Sequence, residues 1–263
     1  MTNWYLGSMG FSYKDWNGPF YPQNLESRDY LEHYSQFFNS VEIDSTFYGA
    51  PRKEYVQRWV SVTPDDFTFC AKTPKTITHE AGLVGVQAEM DAFLEVMRLF
   101  GNKLGVILIQ FPPSFSISKA PELAAFIKDL PKDMRFAVEV RHKSWYTERT
   151  GELFEKHDVA WTTSIYEDLP EQIYIHNGIL YIRFIGRHGV YPKNDREYVD
   201  PTENLEWWAN QIQSRIDEIE DIYGFFNNDY AGFSPATINR FKGIVGIPTV
   251  PFDPPIQGRL FEE

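Results

Sequence analysis

Residues 134–145, Met134-Arg-Phe-Ala-Val-Glu-Val-Arg-His-Lys-Ser-Trp145, narrow the choice of fold more than any other stretch. Side chains alternate across a strand, so Phe136, Val138 and Val140 share one face while Ala137, Glu139 and Arg141 share the other. A carboxylate beside a guanidinium is tolerated inside a protein only when paired or otherwise hydrogen-bonded. The pattern recurs. Residues 40–46 set Val41 and Ile43 against Glu42, Asp44 and Thr46. Residues 67–72 set Phe67, Phe69 and Ala71 against Thr68, Cys70 and Lys72. Residues 179–185 group Arg183 with Tyr181 and Ile185. Polar groups repeatedly set at strand ends are expected where an active site sits at one mouth of a barrel.

The rest of the chain alternates strands with helices. Residues 4–9 read as the first strand and residues 105–111 as the fourth; only Gln110 breaks the apolar run expected of a parallel strand covered on both faces. Residues 159–164 form the sixth strand, 179–185 the seventh, and 221–229 the eighth, running into a polar loop. Helical periodicity connects them: Leu31, Tyr34 and Phe38; Tyr55, Val56, Trp59 and Val60 after Pro51; residues 86–100; Leu123, Phe126 and Ile127; and Leu205, Trp208, Ala209, Ile212 and Ile216, with Asp200 as cap. Residues 166–178 make a poor helix, so the sixth crossover is expected to be irregular, and long loops follow strands one and seven. These features predict a (β/α)₈ TIM-like barrel in one domain spanning 1–263, with a Pro-rich tail from 248. A doubly wound open sheet is the runner-up; no Gly-x-Gly-x-x-Gly turn or Walker A loop supports it.

The chain has 263 residues, about the length such a barrel needs. Its 37 acidic against 25 basic residues give −12, which disfavours nucleic acid unless a basic patch is local. One cysteine, Cys70, excludes an internal disulfide and suits a reducing cytoplasm. No apolar run is long enough to span a bilayer and the N-terminus lacks signal-peptide character, so no membrane partner is expected.

Several spaced motifs resemble one family. They are Gly7-Ser-Met-Gly-Phe-Ser-Tyr-Lys-Asp-Trp-Asn-Gly-Pro-Phe-Tyr-Pro22, Phe38-Asn-Ser-Val-Glu-Ile-Asp-Ser-Thr-Phe-Tyr48, Gln110-Phe-Pro-Pro113, Glu139-Val-Arg-His142 with Trp145, and Phe226-Asn-Asn-Asp229. Together they resemble the YecE-like family, domain-of-unknown-function family seventy-two, over about residues 4–243. The resemblance implies a TIM-like barrel and supplies no established activity. Two departures stand out. The family pattern after strand seven has Arg-x-His-Gly, where this chain reads Arg183-Phe-Ile-Gly186; His188 is the candidate substitute. The last helix opens Ser234-Pro-Ala-Thr-Ile-Asn239 in place of small residues before an Asn-Ala pair.

The expected chemistry follows from residue types. Glu42 and Glu139 are the natural proton-transfer pair, with Lys72 and His142 as further catalytic candidates. Lys72 is a fixed cation, a Schiff-base nucleophile, or merely Glu42's partner. Arg141 and Arg183 suit an anion. Gln110, Asn227, Asn228, Asp229, Tyr48, Trp16, Trp145 and His79 complete the expected substrate-binding set. For the pair Glu139–Arg141 alone, a structural salt bridge is as good an account. No cofactor is required. A divalent metal among the two glutamates with Asp44, Asp229, His79 or His142 has no His-x-x-x-His or Cys cluster behind it. The expected function is an enzyme acting on a small anionic metabolite, such as a phosphorylated or acidic sugar or a nucleotide fragment. The alternatives are a Lys72 lyase or aldolase, a metal-dependent phosphoester hydrolase or nuclease, and a non-catalytic ligand-binding module. Oligomeric state is not addressed by any of these features.

Overall fold

A computed structural model describes residues 2–252. Every strand pair named here is parallel. Strands β1 (Asn3–Ser8), β9 (Asp221–Phe226), β8 (Ile179–Phe184) and β7 (Thr163–Ile165) form one sheet in that order; β2 (Ser40–Ile43), β3 (Thr68–Lys72), β4 (Leu104–Gln110), β5 (Arg135–Glu139) and β6 (Ala160–Trp161) form the other. The expected sixth strand is broken at Thr162 into β6 and β7, one in each sheet. Helices α1 (Tyr30–Tyr34), α2 (Lys53–Val62), α3 (Gln87–Met97), α4 (Ala120–Lys128), α5 (Glu148–His157), α6 (Thr202–Gln213), α7 (Asn228–Ala231) and α8 (Ser234–Ile244) fill the connections. Residues 166–178 carry no helix, as their composition predicts. Residues 186–200, after β8, are likewise irregular, and the loop after β1 holds only short 3₁₀ turns. Helix α6 starts one residue later than expected: Pro201 is its cap, while Asp200 accepts a hydrogen bond from the Thr202 amide at 3.0 Å. Of the Pro-rich tail, 248–252 is irregular and 253–263 lies outside the described residues.

Alternation sorts the core into two layers. Phe67, Phe69, Ile107, Ile109, Phe136 and Val138 pack with the helices in the larger apolar cluster. Their neighbours Cys70, Val106, Leu108 and Ala137 face the other way and join Met9, Ala160, Tyr181, Ile185, Tyr223 and Phe225 in a second cluster drawn from both sheets. The apolar run of β4 is therefore covered on both faces, as its sequence predicts.

The two sheets share no continuous ladder. Between β1 and β2 the backbone makes a single bridge, Met9 to Glu42, with Gly10 N–H on the Glu42 carbonyl at 2.7 Å. Along the rest of this seam side chains take the place of ladder bonds. The amide oxygen of Asn39 accepts from Leu6 N–H at 3.1 Å, and its nitrogen donates to the Trp4 carbonyl at 2.7 Å. The Tyr34 hydroxyl accepts from Ser8 N–H at 2.8 Å and donates to the Ser40 carbonyl at 3.1 Å. Gly7 is required here, because a Cβ would stand 1.8 Å from the Ser40 oxygen. Replacing Tyr34 by Phe leaves a buried N–H and a buried carbonyl unpaired, and is expected to cost about 1–3 kcal/mol in chemical denaturation with the fold retained.

Candidate functional site

At the C-terminal ends of the strands one guanidinium ties two buried carboxylates together. Arg183, from β8, donates through Nε to Glu42 Oε2 at 3.0 Å and through Nη2 to Glu42 Oε1 at 2.7 Å, while Nη1 pairs with Glu139 Oε2. Its remaining Nη2 hydrogen meets Met9 Sδ at 3.2 Å. Tyr181, two residues earlier on the same face, donates its hydroxyl to Glu42 Oε2 at 2.6 Å. Arg141 Nε closes the series on Glu139 Oε1 at 2.6 Å. Glu42 and Glu139 are wholly buried and Arg183 is 4% exposed. Period-two placement thus brings polar groups of β2, β5 and β8 to one end of the molecule.

This geometry changes the roles read from sequence. Every carboxylate oxygen of the expected proton-transfer pair already accepts a charge-assisted hydrogen bond. Burial alone would push Glu139 up, but the positive charges of Arg141 and Arg183 outweigh it and hold the group at about 2, so it stays ionised near neutrality. Among the described residues only one Nη1 hydrogen of Arg183 is without a partner, so nearly all of its donors are committed to the two carboxylates and Met9. Arg141 uses only Nε and lies 5.0 Å over the Tyr166 ring, which leaves its Nη groups available.

Their neighbours lack such pairing among the described residues. Lys72 extends β3, and its ammonium rests 3.8 Å from the centre of the Phe47 ring. It has no carboxylate within ion-pair distance among the described residues; burial first, then the charge of Arg183, brings it down to about 8. Asp44 opens the 3₁₀ turn Asp44–Tyr48 that follows β2, one position beyond the Ile43–Ala71 pair, and lies close enough to Lys72 to feel its charge. Burial, then the negative charge of Glu42, lifts Asp44 to about 6 against the opposing pull of Lys72; apart from its own backbone N–H the carboxyl has no hydrogen-bond partner among the described residues. Gly10, at φ +85°, is kept small by this carboxyl, since a Cβ would lie 2.8 Å from Asp44 Oδ1. His79, in the π-helical turn Thr76–Glu80, packs edge-on against Phe47 and bonds Thr78 Oγ1 at 2.8 Å. Burial and the charges of Lys72 and Arg141 push it to about 4, so it is neutral near pH 7. Two glutamates and an Asp44 that is mostly ionised at pH 7 balance three basic side chains, so this end is close to neutral although the whole chain is −12.

Other expected site residues are structural. Trp16 and Trp145 are fully buried, their indole N–H groups given to Asn228 Oδ1 at 3.2 Å and to the Phe115 carbonyl at 2.7 Å. Asn228 Oδ1 also accepts from the backbone and hydroxyl of Ser234, both at 3.0 Å, so it locks α7 to α8 instead of orienting a substrate hydroxyl. Asn227 caps α7 through the Asp229 amide, and Asp229 holds His188 at 2.8 Å. His188 is 97% exposed there and does not replace the family histidine, whose position Ile185 fills from inside the inner apolar cluster. His142 Nδ1 accepts from the Ser144 amide and shapes the turn after β5, the loop-fixing role. Gln110, nearly buried, bonds the Phe111 carbonyl. Tyr48 is exposed and packs edge-on against Phe47, next to Lys72. Asp44 carried the missed signal: it shares a strand face with Glu42 in the sequence but was read only as a metal ligand.

A cavity of about 690 Å³ opens at the opposite, N-terminal end of the strands, lined by Asn3, Tyr5, Thr68, Arg135, Asp221 and Tyr223 among others. Its central charges already pair, Arg135 with Asp221 at 2.8 Å. Chemistry outweighs size here, and the unpartnered groups lie at the other end. Among the described residues no three His, Cys, Asp or Glu side chains gather in a metal-holding group, and no helix is long and apolar enough to cross a membrane.

Residues 5–258 match the family described as Protein of unknown function DUF72. The chain belongs to the DUF72 family. It is 38% identical to the UPF0759 protein YecE of Escherichia coli K12 over 116 residues, which cover 44% of this chain and 43% of that protein. It is 28% identical over 260 residues to the UPF0759 protein YunF of Bacillus subtilis, covering 87% of this chain and 89% of YunF. A DUF72 crystal structure from Thermotoga maritima superposes with a TM-score of 0.77 at 28% identity, over 92% of this chain and 99% of that one. A DUF72 protein of Enterococcus faecalis, 22% identical with a TM-score of 0.73 over 94% of this chain and 99% of that one, speaks for the fold alone.

Two variants separate frame from reactive groups. Glu139→Ala strands Arg141 and Arg183 without their shared carboxylate and is expected to lose about 3–5 kcal/mol in denaturant unfolding. Lys72→Met should do the opposite. Charging Lys72 in the fold costs up to about 3 kcal/mol for a drop from 10.5 to about 8, more than the roughly 0.5–2 kcal/mol its contact with Phe47 returns. Between pH 8 and 10.5 the unfolded chain holds a proton that the native lysine has released. Wild-type stability should therefore rise with pH across that window relative to Lys72→Met.

Proposed function

We propose that this protein is an enzyme acting on a small anionic metabolite at the C-terminal ends of its strands, with Lys72 and Arg141 holding the anion and Asp44 moving a proton. The observation that carries this is Lys72: a mostly buried ammonium, without a carboxylate partner among the described residues and near an Asp44 that likewise has no side-chain partner among them. Neither group is needed to neutralise the Glu42–Arg183–Glu139–Arg141 series, and both sit at protonation midpoints close to neutral pH, which suits proton transfer. An incoming anion would pair with Lys72, raise its pKa, and so relieve the cost of burying it. His79, as a neutral imidazole, supplies a hydrogen bond and no competing charge.

The architecture that fits this reading is a (β/α)₈ barrel closed through the two seams. Its support is the inner apolar cluster drawn from both sheets, the Met9–Glu42 bridge on one side and the single residue Thr162 on the other. Active sites in such barrels lie at the strand C-termini. A reducing cytoplasm fits the lone, buried and free Cys70.

A second reading rests on the same lysine. With its pKa near 8, roughly a tenth of Lys72 is neutral at pH 7, enough to condense with a carbonyl, release water and form an imine. Borohydride reduction in the presence of aldehydes and keto acids would then leave a secondary amine on Lys72, detectable by peptide mass; no adduct across the panel removes this reading.

The leading proposal is tested by calorimetric titration with inorganic phosphate. Lys72→Met and Arg141→Met should each weaken binding at least about tenfold, one ion pair or bidentate contact being worth 1.4 kcal/mol or more in such a site. Phosphate that binds both variants as well as wild type contradicts it.

A further inference from the structure

Beside Asp44 lies a cavity of about 460 Å³ between α1, α2 and the loop that follows β1. Its walls are Phe11, Leu31, Trp59 and Tyr55, with Asp44 and Ser45 at its inner edge. Phe11 meets Trp59 edge to face at 6.0 Å, so the cavity presents aromatic surface on two sides. The arginines at its rim are already engaged: Arg58 pairs with Asp29 at 3.0 Å and Arg28 with Glu26 at 3.1 Å. Each of these charges is thus matched by a carboxylate. The cavity's one carboxyl is that of Asp44, which has no side-chain partner among the described residues. We infer that this cavity receives a flat apolar body, an aryl or heteroaryl group, whose O–H or N–H donates to Asp44 while an anionic group on the same molecule reaches Lys72 and Arg141.

The inference rests on the proposed anion site and names the rest of its substrate. Size fits: pockets of about 300–1,000 Å³ serve small ligands, and 460 Å³ holds one or two fused rings. Chemistry fits as well. Aromatic walls with a single carboxylate select a flat molecule that brings a donor to Asp44. Asp44 is the hinge of the arrangement, because it lines this cavity and also feels the charges of Lys72 and Arg183.

The test titrates the full chain with four probes: inorganic phosphate, phenol, anisole and phenyl phosphate. Binding is read by calorimetry and by the indole ¹H–¹⁵N shift of Trp59. Phenol should move the Trp59 signal and bind at least about fivefold tighter than anisole, which lacks the donor; Asp44→Leu should erase that preference. Phenyl phosphate should bind at least about tenfold tighter than inorganic phosphate. Ser12→Trp, which fills the cavity mouth from an exposed position, should remove the gain while leaving inorganic phosphate unchanged. If that variant unfolds, the phenol–anisole comparison on wild type decides alone. Phosphate binding with no Trp59 response to phenol or phenyl phosphate overturns the inference and leaves the anion site standing. Phenol binding without phosphate binding supports the cavity assignment and overturns the anion site.

Discussion

Arg183 is the group on which the arrangement depends. It is buried between Glu42 and Glu139, each carried by a different strand, and its planar fork fixes the spacing of both. Removing three such charges from water is expensive, and only complete pairing makes it tolerable. That need explains the accessory contacts. Tyr181 serves the second lone pair of Glu42, Met9 faces the last Nη2 hydrogen, and Arg141 completes Glu139. The series is a rigid floor, and carboxylates so fully engaged have little left to give to a reaction.

What it does give is a field. Lys72 and Asp44 stand above it, and their charge states are set by burial and by Arg183 and Glu42 respectively. The lysine is pushed toward neutrality and the aspartic acid toward protonation, so their affinities for a proton approach one another. Groups arranged in this way exchange protons readily and accept a ligand charge at small further cost. A protein gains no stability from such an arrangement, and the Lys72→Met comparison turns on that point.

Much of this was legible in the sequence, and the parts that were not share a physical cause. Period two in residues 67–72 and 135–141 assigned faces correctly, because a residue covered by helices on one side and by a second apolar cluster on the other has no third environment to choose. The same rule brought Glu42, Lys72, Glu139, Arg141 and Arg183 to one end. Roles were harder. Whether a carboxylate is free depends on how many donors converge on it, and those donors come from residues distant in the chain, as Tyr181 does for Glu42. Trp16, Trp145 and Asn228 lie in the loops where a binding group is expected, yet they knit those loops together. Composition cannot distinguish an aromatic that roofs the strands from one that faces a ligand. Nor does any local pattern announce that Asn39 and Tyr34 stand in for ladder bonds between β1 and β2, since a core tyrosine at helical spacing looks the same.

Whether Lys72 responds to an anion while Glu139 and Arg183 stay fixed as a frame is read by NMR titration of the Lys72 side chain, following its ¹³Cε shift with and without inorganic phosphate. The expected midpoint is near 8 and moves upward as phosphate binds. A midpoint near the ordinary 10.5, indifferent to phosphate, would contradict that role for Lys72.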